Sequence, residues 1–312
     1  MRILVLGAGA VGGYFGGRLL QAGREVTFLV RPARAALLEE KGLGIQSPVG
    51  NVRLEHPPTV TDGAQGAPYD LILLSCKAYD LDSALAAIAP AVGEKTLILP
   101  LLNGQRHLEQ LDARFGAEKV LGGLCLVSAT VGEDGGIVHF LPGHRITFGE
   151  RSGEMSARTK QVETALSGAL FEVVRSNIIR TEMWEKWVML AALAGATTLM
   201  RAAVGEIVRA PGGEKFVLGL LEECRRVAEL EGVAPRPEIF AGMQKRLTNP
   251  DSPLTASMYR DICHGGRIES EQIIGDLLVR GEKHGHGAEE FPLLGLVRTH
   301  LRAYENRRAG RV

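Results

Sequence analysis

Neither sign of charge is in excess: Lys plus Arg and Asp plus Glu number 36 each, for a formal net charge of zero. Such a chain carries no overall field for a polyanion, so nucleic acid is not an expected partner. Cysteine is scarce, and Cys76, Cys125, Cys224 and Cys263 stand far apart with no CxxC pair. That spacing speaks against a disulfide scaffold and fits a reducing, cytoplasmic compartment. Long apolar runs are missing as well. The longest, Trp187 to Met200, falls short of the roughly 20 residues of a membrane span and contains Thr197 and Thr198. It reads as a buried helix, and no membrane association is expected. A strand opening at Arg2 leaves no room for a signal peptide ahead of it. There is no internal repeat and no low-complexity tract. His284-Gly285-His286 lacks the acidic or cysteine neighbours that would complete a metal site, so no metal is expected.

What is present is an ordinary globular balance, 45% hydrophobic and 23% charged over 312 residues, enough for two domains with separate cores. Arg2–Gly7, Glu25–Val30, Tyr69–Cys76 and Thr96–Leu102 are short apolar runs of the kind a doubly buried parallel strand needs. Helical stretches separate them, from Ala10 to Ala22 and again from Pro32. Strands alternating with helices predict a Rossmann-type doubly wound α/β sheet. Leu124–Val131 and Gly136–Phe148 read as two longer strands around a GEDGG turn, an antiparallel pair, followed by a helix and a strand Phe171–Arg175. After Ser176 no strand is expected. Helices are predicted over Arg180–Ala203, Gly213–Leu230, Pro237–Leu247, Leu254–Cys263, Ser270–His284 and Pro292–Tyr304, with a fraying tail. The expected domains are therefore a nucleotide-binding domain over residues 1–176 and an all-α substrate and catalytic domain over 177–312.

Between the first strand and the first helix lies Gly7-Ala8-Gly9-Ala10-Val11-Gly12, a GxGxxG pattern. Its glycines permit a tight turn, close approach of backbone to a pyrophosphate, and close helix–strand packing. Amides at the helix start then face the phosphates. NAD sites place an acid about 20 residues beyond this pattern, at the ribose 2′-hydroxyl. Here Val30-Arg31 stands in that place, with Arg34 one turn further. A guanidinium can hold a 2′-phosphate that a carboxylate would repel, which favours NADP over NAD. Lys77 and Asn103-Gly104 follow two further strands, on the carboxyl edge where open α/β sheets bind ligands. Position alone leaves open whether either serves cofactor, substrate or neither.

Residues 7 to 32, GAGAVGGYFGGRLLQAGREVTFLVRP, closely resemble the opening of the ketopantoate reductase (2-dehydropantoate 2-reductase) family. The resemblance continues through Ser75-Cys76-Lys77-Ala78, Asn103-Gly104, Trp184-Glu185-Lys186, Gly205-Glu206-Ile207, Ser257-Met258 and Glu269. It implies NADPH-dependent reduction of 2-dehydropantoate to pantoate, on the way to pantothenate. Carried over residue by residue, Lys186 would donate the proton and Glu269 would bind the substrate hydroxyl. Ser257 would contact the substrate carboxylate. Asn103 and Lys77 would stand near nicotinamide and substrate, and Arg31 would grip the 2′-phosphate. Chemistry agrees: hydride addition to a ketone creates an alkoxide, which a lysine can stabilise and protonate. Taken alone, Lys186 also reads as a snorkelling lysine between Trp184 and Trp187, and Glu269 as a solvated acid at a helix start.

The pattern breaks along the lysine helix. Leu190 and Ala194, on the Lys186 face, and Val204 stand where the resemblance leads one to expect asparagines. Gln105-Arg106 replaces a glycine-bearing continuation. Loss of hydrogen-bonding groups weakens discrimination for a polar substrate. The second reading is therefore a reductase of another small 2-oxo or 3-oxo acid. A third, from a different class, is a non-catalytic NADP(H)-binding sensor. A homodimer is the expected assembly.

Overall fold

The computed structural model describes residues 1–310. The chain divides into two compact units, one of Met1–Leu102 with His107–Ile179, the other of Asn103–Arg106 with the chain from Arg180 onward.

The first unit opens with β1 (Ile3–Leu6), α1 (Ala10–Gln21), β2 (Val26–Leu29) and α2 (Pro32–Lys41), then β3 (Leu43–Gln46), β4 (Val52–Leu54), β5 (Thr59–Val60) and β6 (Tyr69–Leu74). It continues with α3 (Leu81–Ile88), β7 (Val92–Pro100) and α4 (Arg106–Phe115). The main sheet has the order β5-β2-β1-β6-β7 and is parallel throughout, with Ile3 facing both Val26 and Leu71. Alternation along its strands sorts side chains onto two faces. Ile3, Val5, Leu71 and Leu73 join one buried cluster, while Leu4, Leu6, Ile72 and Leu74 join another. A sheet covered on both sides is what continuous apolar runs demand.

The rest of this unit is β8 (Gly122–Leu126), β9 (Ala129–Val131), β10 (Ile137–His139), β11 (Arg145–Gly149), α5 (Ala157–Leu166) and β12 (Glu172–Arg175). The two long strands expected here are each cut in two. Antiparallel pairing survives, Val131 opposite Ile137 and Leu126 opposite Arg145, but the pairs belong to different sheets, β4-β3-β10-β9 and β12-β11-β8. Val127-Ser128 on one side and Phe140 to His144, with Pro142-Gly143, on the other supply the breaks. Strands β3 to β5 were not anticipated. They are two to four residues long and carry little apolar alternation.

The second unit holds α6 (Ile179–Met200), α7 (Val204–Arg209), α8 (Gly213–Leu230), α9 (Pro237–Leu247), α10 (Ser257–Cys263), α11 (Asp276–Lys283) and α12 (Pro292–Arg308). Among the described residues it contains no strand. From Trp187 onward helix α6 is nearly apolar all round and central: Trp187, Val188, Ala191, Ala192, Ala194 and Ala196 are at most 1% exposed. It stops three residues before the expected end, where Arg201 turns to φ 56°. The helix expected from Ser270 begins there and passes at once into a π-helical turn, Glu271–Gly275. The tail is more ordered than expected through Arg308. Tyr304 Oη donates to Gly266 O at 2.8 Å and Arg308 Nε to Gly265 O at 2.9 Å. Arg311 and Val312 lie outside the described residues.

Candidate active site

In the first unit the chain leaves β1 toward β2 on one side, whereas β6 lies on the other. The carboxyl ends of β1 and β6 therefore mark the switch point where doubly wound sheets bind ligands. Ser75, just past β6, closes it by donating from Oγ to Leu6 O at 2.7 Å. The glycine loop sits there, and its three glycines differ in what the fold asks of them. Gly7 has φ +88°, which side chains resist. A Cβ on Gly12 would lie 2.2 Å from Gly7 O and 2.3 Å from Ser75 Oγ, so nothing larger fits. A Cβ on Gly9 would meet nothing within 4 Å. Packing within the fold therefore does not require that glycine, and the space beside it is open. Helix α1 starts at Gly9 with no side-chain cap and no acid in its first turn, leaving its amides for an anion. Ala8 is buried, with Ala10 and Val11 half-buried. These residues fit a dinucleotide pyrophosphate.

Arg31 is the N-cap residue of α2, with a side chain 74% exposed and 3.2 Å from the Asp80 carboxylate. Half-buried Lys77 leads into the 3₁₀ turn Ala78–Asp80 that brings Asp80 there, its carbonyl accepting from Asp80 N at 2.9 Å. Sequence reading missed Asp80, whose acid competes with any anion for Arg31. Arg34 has a different duty: its guanidinium donates to Ala8 O at 2.7 Å and so fastens α2 to the glycine loop. Burial pushes this arginine below its ordinary range, opposed by nearby Asp134.

In the second unit, Trp184-Glu185-Lys186 on α6 separates into two structural residues and one that is not tied down. Trp184 packs on Trp187 with ring centroids 4.7 Å apart, beneath the Arg280 guanidinium. Buried Glu185 accepts from Arg236 N, Nε and Nη2 at 3.0, 2.8 and 2.7 Å, clamping the start of α9. Lys186 is half-buried, and no described residue bonds or pairs with its ammonium. Glu269 is buried, 7% exposed, with Ser270 between it and the π-helical turn. Ser257 is half-buried at the first position of α10. Half-buried Asn103 accepts at its backbone carbonyl from Gln272 Nε2, 3.0 Å away. Sequence reading missed Gln272, since nothing in a one-residue signal announces a long-range tether.

Of the positions that depart from the family pattern, Ala194 and Val204 are fully buried members of the helical core, and Leu190 is half-buried against it. Next to Asn103-Gly104, Gln105 is 6% exposed, and its Nε2 has no hydrogen-bond partner among the described residues. Gly205-Glu206-Ile207 proves structural. A Cβ on Gly205 would lie 2.4 Å from Pro250 O, Glu206 accepts from Ala203 N at 2.7 Å, and Ile207 is core. His284 and His286 each face a separate acid, Glu231 at 3.1 Å and Glu290 at 2.7 Å. No metal-binding group of three or more His, Cys, Asp or Glu occurs among the described residues, and none of their helices is long and apolar enough to cross a membrane.

Comparison with known proteins agrees across both units. Residues 3–153 match the family model "Ketopantoate reductase PanE/ApbA" and residues 178–305 match its C-terminal counterpart. An uncharacterized oxidoreductase of Bacillus subtilis is 37% identical over 305 residues, covering 98% of this chain and 99% of its own. The crystal structure of 2-dehydropantoate 2-reductase from Geobacter metallireducens is 27% identical, with TM-score 0.87, covering 97% of this chain and 99% of its own. A D-mandelate dehydrogenase solved with NADH is 25% identical, with TM-score 0.85, covering 98% of this chain and 99% of its own. The chain belongs to the ketopantoate reductase family and is an oxidoreductase acting on a C=O/CH–OH pair.

Proposed function

We propose that the protein uses NADPH to reduce the ketone of 2-dehydropantoate, giving pantoate. The reduced nicotinamide, when bound, supplies the hydride. The amides at the start of α1 hold the pyrophosphate, helped by the open space at Gly9. Arg31 holds the 2′-phosphate, exchanging its contact with Asp80 for a dianion. Lys186 faces the ketone oxygen, stabilises the charge that develops there and transfers a proton from Nζ to it. Solvent then restores the lysine proton. Glu269 accepts from the substrate hydroxyl, Ser257 donates to its carboxylate, and Asn103 and Lys77 orient the ketone.

The observation that carries this reading is the contrast inside one turn of α6. Trp184, Glu185 and Trp187 are all consumed by packing or ion pairing, whereas the Lys186 ammonium has no structural duty among the described residues. A second reading, reduction of a more apolar 2-oxo or 3-oxo acid, is favoured by half-buried Leu190, one turn beyond Lys186 on α6, which offers no hydrogen bond. The likeness to D-mandelate dehydrogenase supports it too.

One experiment separates these readings: NADPH oxidation followed over a panel holding 2-dehydropantoate, branched and aryl 2-oxo acids, and 3-oxo acids. Highest kcat/KM on 2-dehydropantoate supports the first reading, and highest kcat/KM on another acid replaces it with the second. NADPH binding with no turnover of any acid identifies a sensor. Lys186→Ala is expected to remove about 10²- to 10⁴-fold of the turnover with NADPH affinity retained. Arg31→Glu should weaken NADPH far more than NADH, and equal losses would overturn the 2′-phosphate role.

A further inference from the structure

Of the groups assigned chemistry above that belong to the helical unit, three bear on one structural feature: Lys186, Glu269 and Asn103. They come from distant points of the chain, and each needs the others held within fractions of an ångström, because small misplacements cost large factors in rate. The π-helical turn Glu271–Gly275 begins two residues after Glu269, with Ser270 between them. Such turns are rare, cost hydrogen-bond geometry, and persist mostly where function requires them. Two side-chain contacts converge on this one. The buried Trp187 indole, adjacent to Lys186, donates to Ile273 O at 3.0 Å. Gln272, only 7% exposed, donates from Nε2 to the backbone carbonyl of Asn103 at 3.0 Å.

The contact with the Asn103 loop is close on a second count. Gly104 has φ +77°, and a Cβ there would stand 2.7 Å from Gln272 O. Backbone therefore packs on backbone at the point where the Gln272 amide completes the junction. Burying an amide unpaired costs about 1–3 kcal/mol, a cost that this hydrogen bond removes for Gln272. We propose that Gln272 is a positioning residue: it fixes the Asn103 backbone to the turn that follows Glu269, and the same turn, through Ile273 O and the Trp187 indole, is fixed to the helix carrying Lys186. This inference rests on the assignment of Asn103, Glu269 and Lys186 to the reduction. It adds that their spacing is set by one π-helical turn and not by the residues themselves.

The test uses Gln272→Met, which keeps length and volume but cannot donate. Gln272→Glu, whose carboxylate faces the Asn103 carbonyl without a proton, serves if the first variant folds poorly. Three quantities are read: steady-state kinetics on the oxo acid that the wild type reduces fastest, NADPH affinity, and hydrogen exchange of the amides at 103–106. Expected are a fall in kcat of about tenfold or more, NADPH Kd within about twofold of wild type, and exchange at 103–106 faster by about tenfold. Unchanged kcat overturns the proposal, as does unchanged exchange at 103–106, or a loss of activity that merely tracks a general loss of NADPH affinity and Tm. If the wild type reduces no acid in the panel, the functional reading fails and exchange alone decides the tether. Acceleration confined to 103–106 then supports it, and unchanged exchange overturns it.

Discussion

The two units prepare for chemistry in opposite ways. In the sheet-bearing unit the proposed binding would fall to the backbone, with side chains mostly excluded: Gly7 supplies a conformation, Gly12 a close approach, and Gly9 an empty space. In the helical unit side chains do the work, and their meaning depends on what each touches. Neighbouring residues Glu185 and Lys186 illustrate this, one buried in an ion pair and the other unpaired among the described residues. A backbone site can be recognised locally, because spacing and glycine are its whole description. A side-chain site cannot, because helical periodicity places functional and packing residues one step apart.

The largest effects should come from breaking the first half of that contrast. Gly12→Ala must move Gly7 O or Ser75, and we expect NADPH affinity to fall about 100-fold, or about 2.7 kcal/mol, with a loss of stability of about 1–3 kcal/mol. Gly9→Ala meets no atom, so Tm should hold within about 1 °C while affinity falls about tenfold. Isothermal titration and thermal melts of the two variants check this. Equal Tm losses in both would mean that Gly9 is needed by the fold and not by a ligand.

Next in size is the neighbour pair on α6. Glu185→Ala strips three hydrogen bonds from a buried carboxylate and should cost about 1–3 kcal/mol, visible as a lower Tm, with Arg236 still able to reach water. Turnover per folded molecule should change little. Lys186→Ala should show the reverse, an unchanged Tm and lost turnover. If Glu185→Ala also abolished turnover at full stability, the division of the motif into packing and chemistry would be wrong.

This contrast also explains how much could be read in advance. The parallel sheet and its glycine loop were legible, because a doubly buried strand and a tight turn leave local patterns at Ile3–Leu6 and Gly7–Gly12. Strands β3, β4 and β5 were not, being too short to carry a period. The split of residues 124–148 into two sheets was missed because pairing follows local turns, whereas sheet membership follows distant partners such as Ile45 opposite Ile137. Lys186 and Glu269 are proposed on family likeness alone. Gln272, Asp80 and the clamp on Glu185 could not be seen from spacing, since each bonds across more than 40 residues of chain.

A smaller effect lies behind the glycine helix itself. Tyr14 Oη bonds His144 Nδ1 at 2.5 Å, Ser47 Oγ bonds His139 Nδ1 at 2.8 Å, and the two imidazoles stack 5.4 Å apart beside buried Arg18. Burial lowers the pKa of His139, partly offset by a hydrogen bond at Gly143, with Arg18 lowering it further. Burial, then His139 and Arg18, lower that of His144. The unfolded chain therefore takes up protons first, so the stabilising contribution is present above the ordinary histidine pKa of about 6.5 and is lost as pH falls below it. Tm should drop between about pH 7.5 and pH 5.5, and His139→Gln with His144→Gln should flatten that slope. NADPH affinity should stay unchanged if backbone alone makes the loop. An affinity that followed the same pH slope would break the comparison.

The smallest effect, and the sharpest test of the helical half, concerns Gln105. Its buried Nε2 has no hydrogen-bond partner among the described residues, an arrangement that costs about 1–3 kcal/mol and that apolar side chains of similar size avoid. Gln105→Leu should therefore raise Tm, by about 2–4 °C for each kcal/mol recovered. A side chain kept at a cost to stability, two residues from Asn103, is the kind that serves a bound molecule, so kcat/KM on the preferred oxo acid should fall as Tm rises. Higher stability with full activity would make the amide a packing fault and return this loop to the class of sites made by backbone. Lower stability would mean that the amide is already satisfied within the fold.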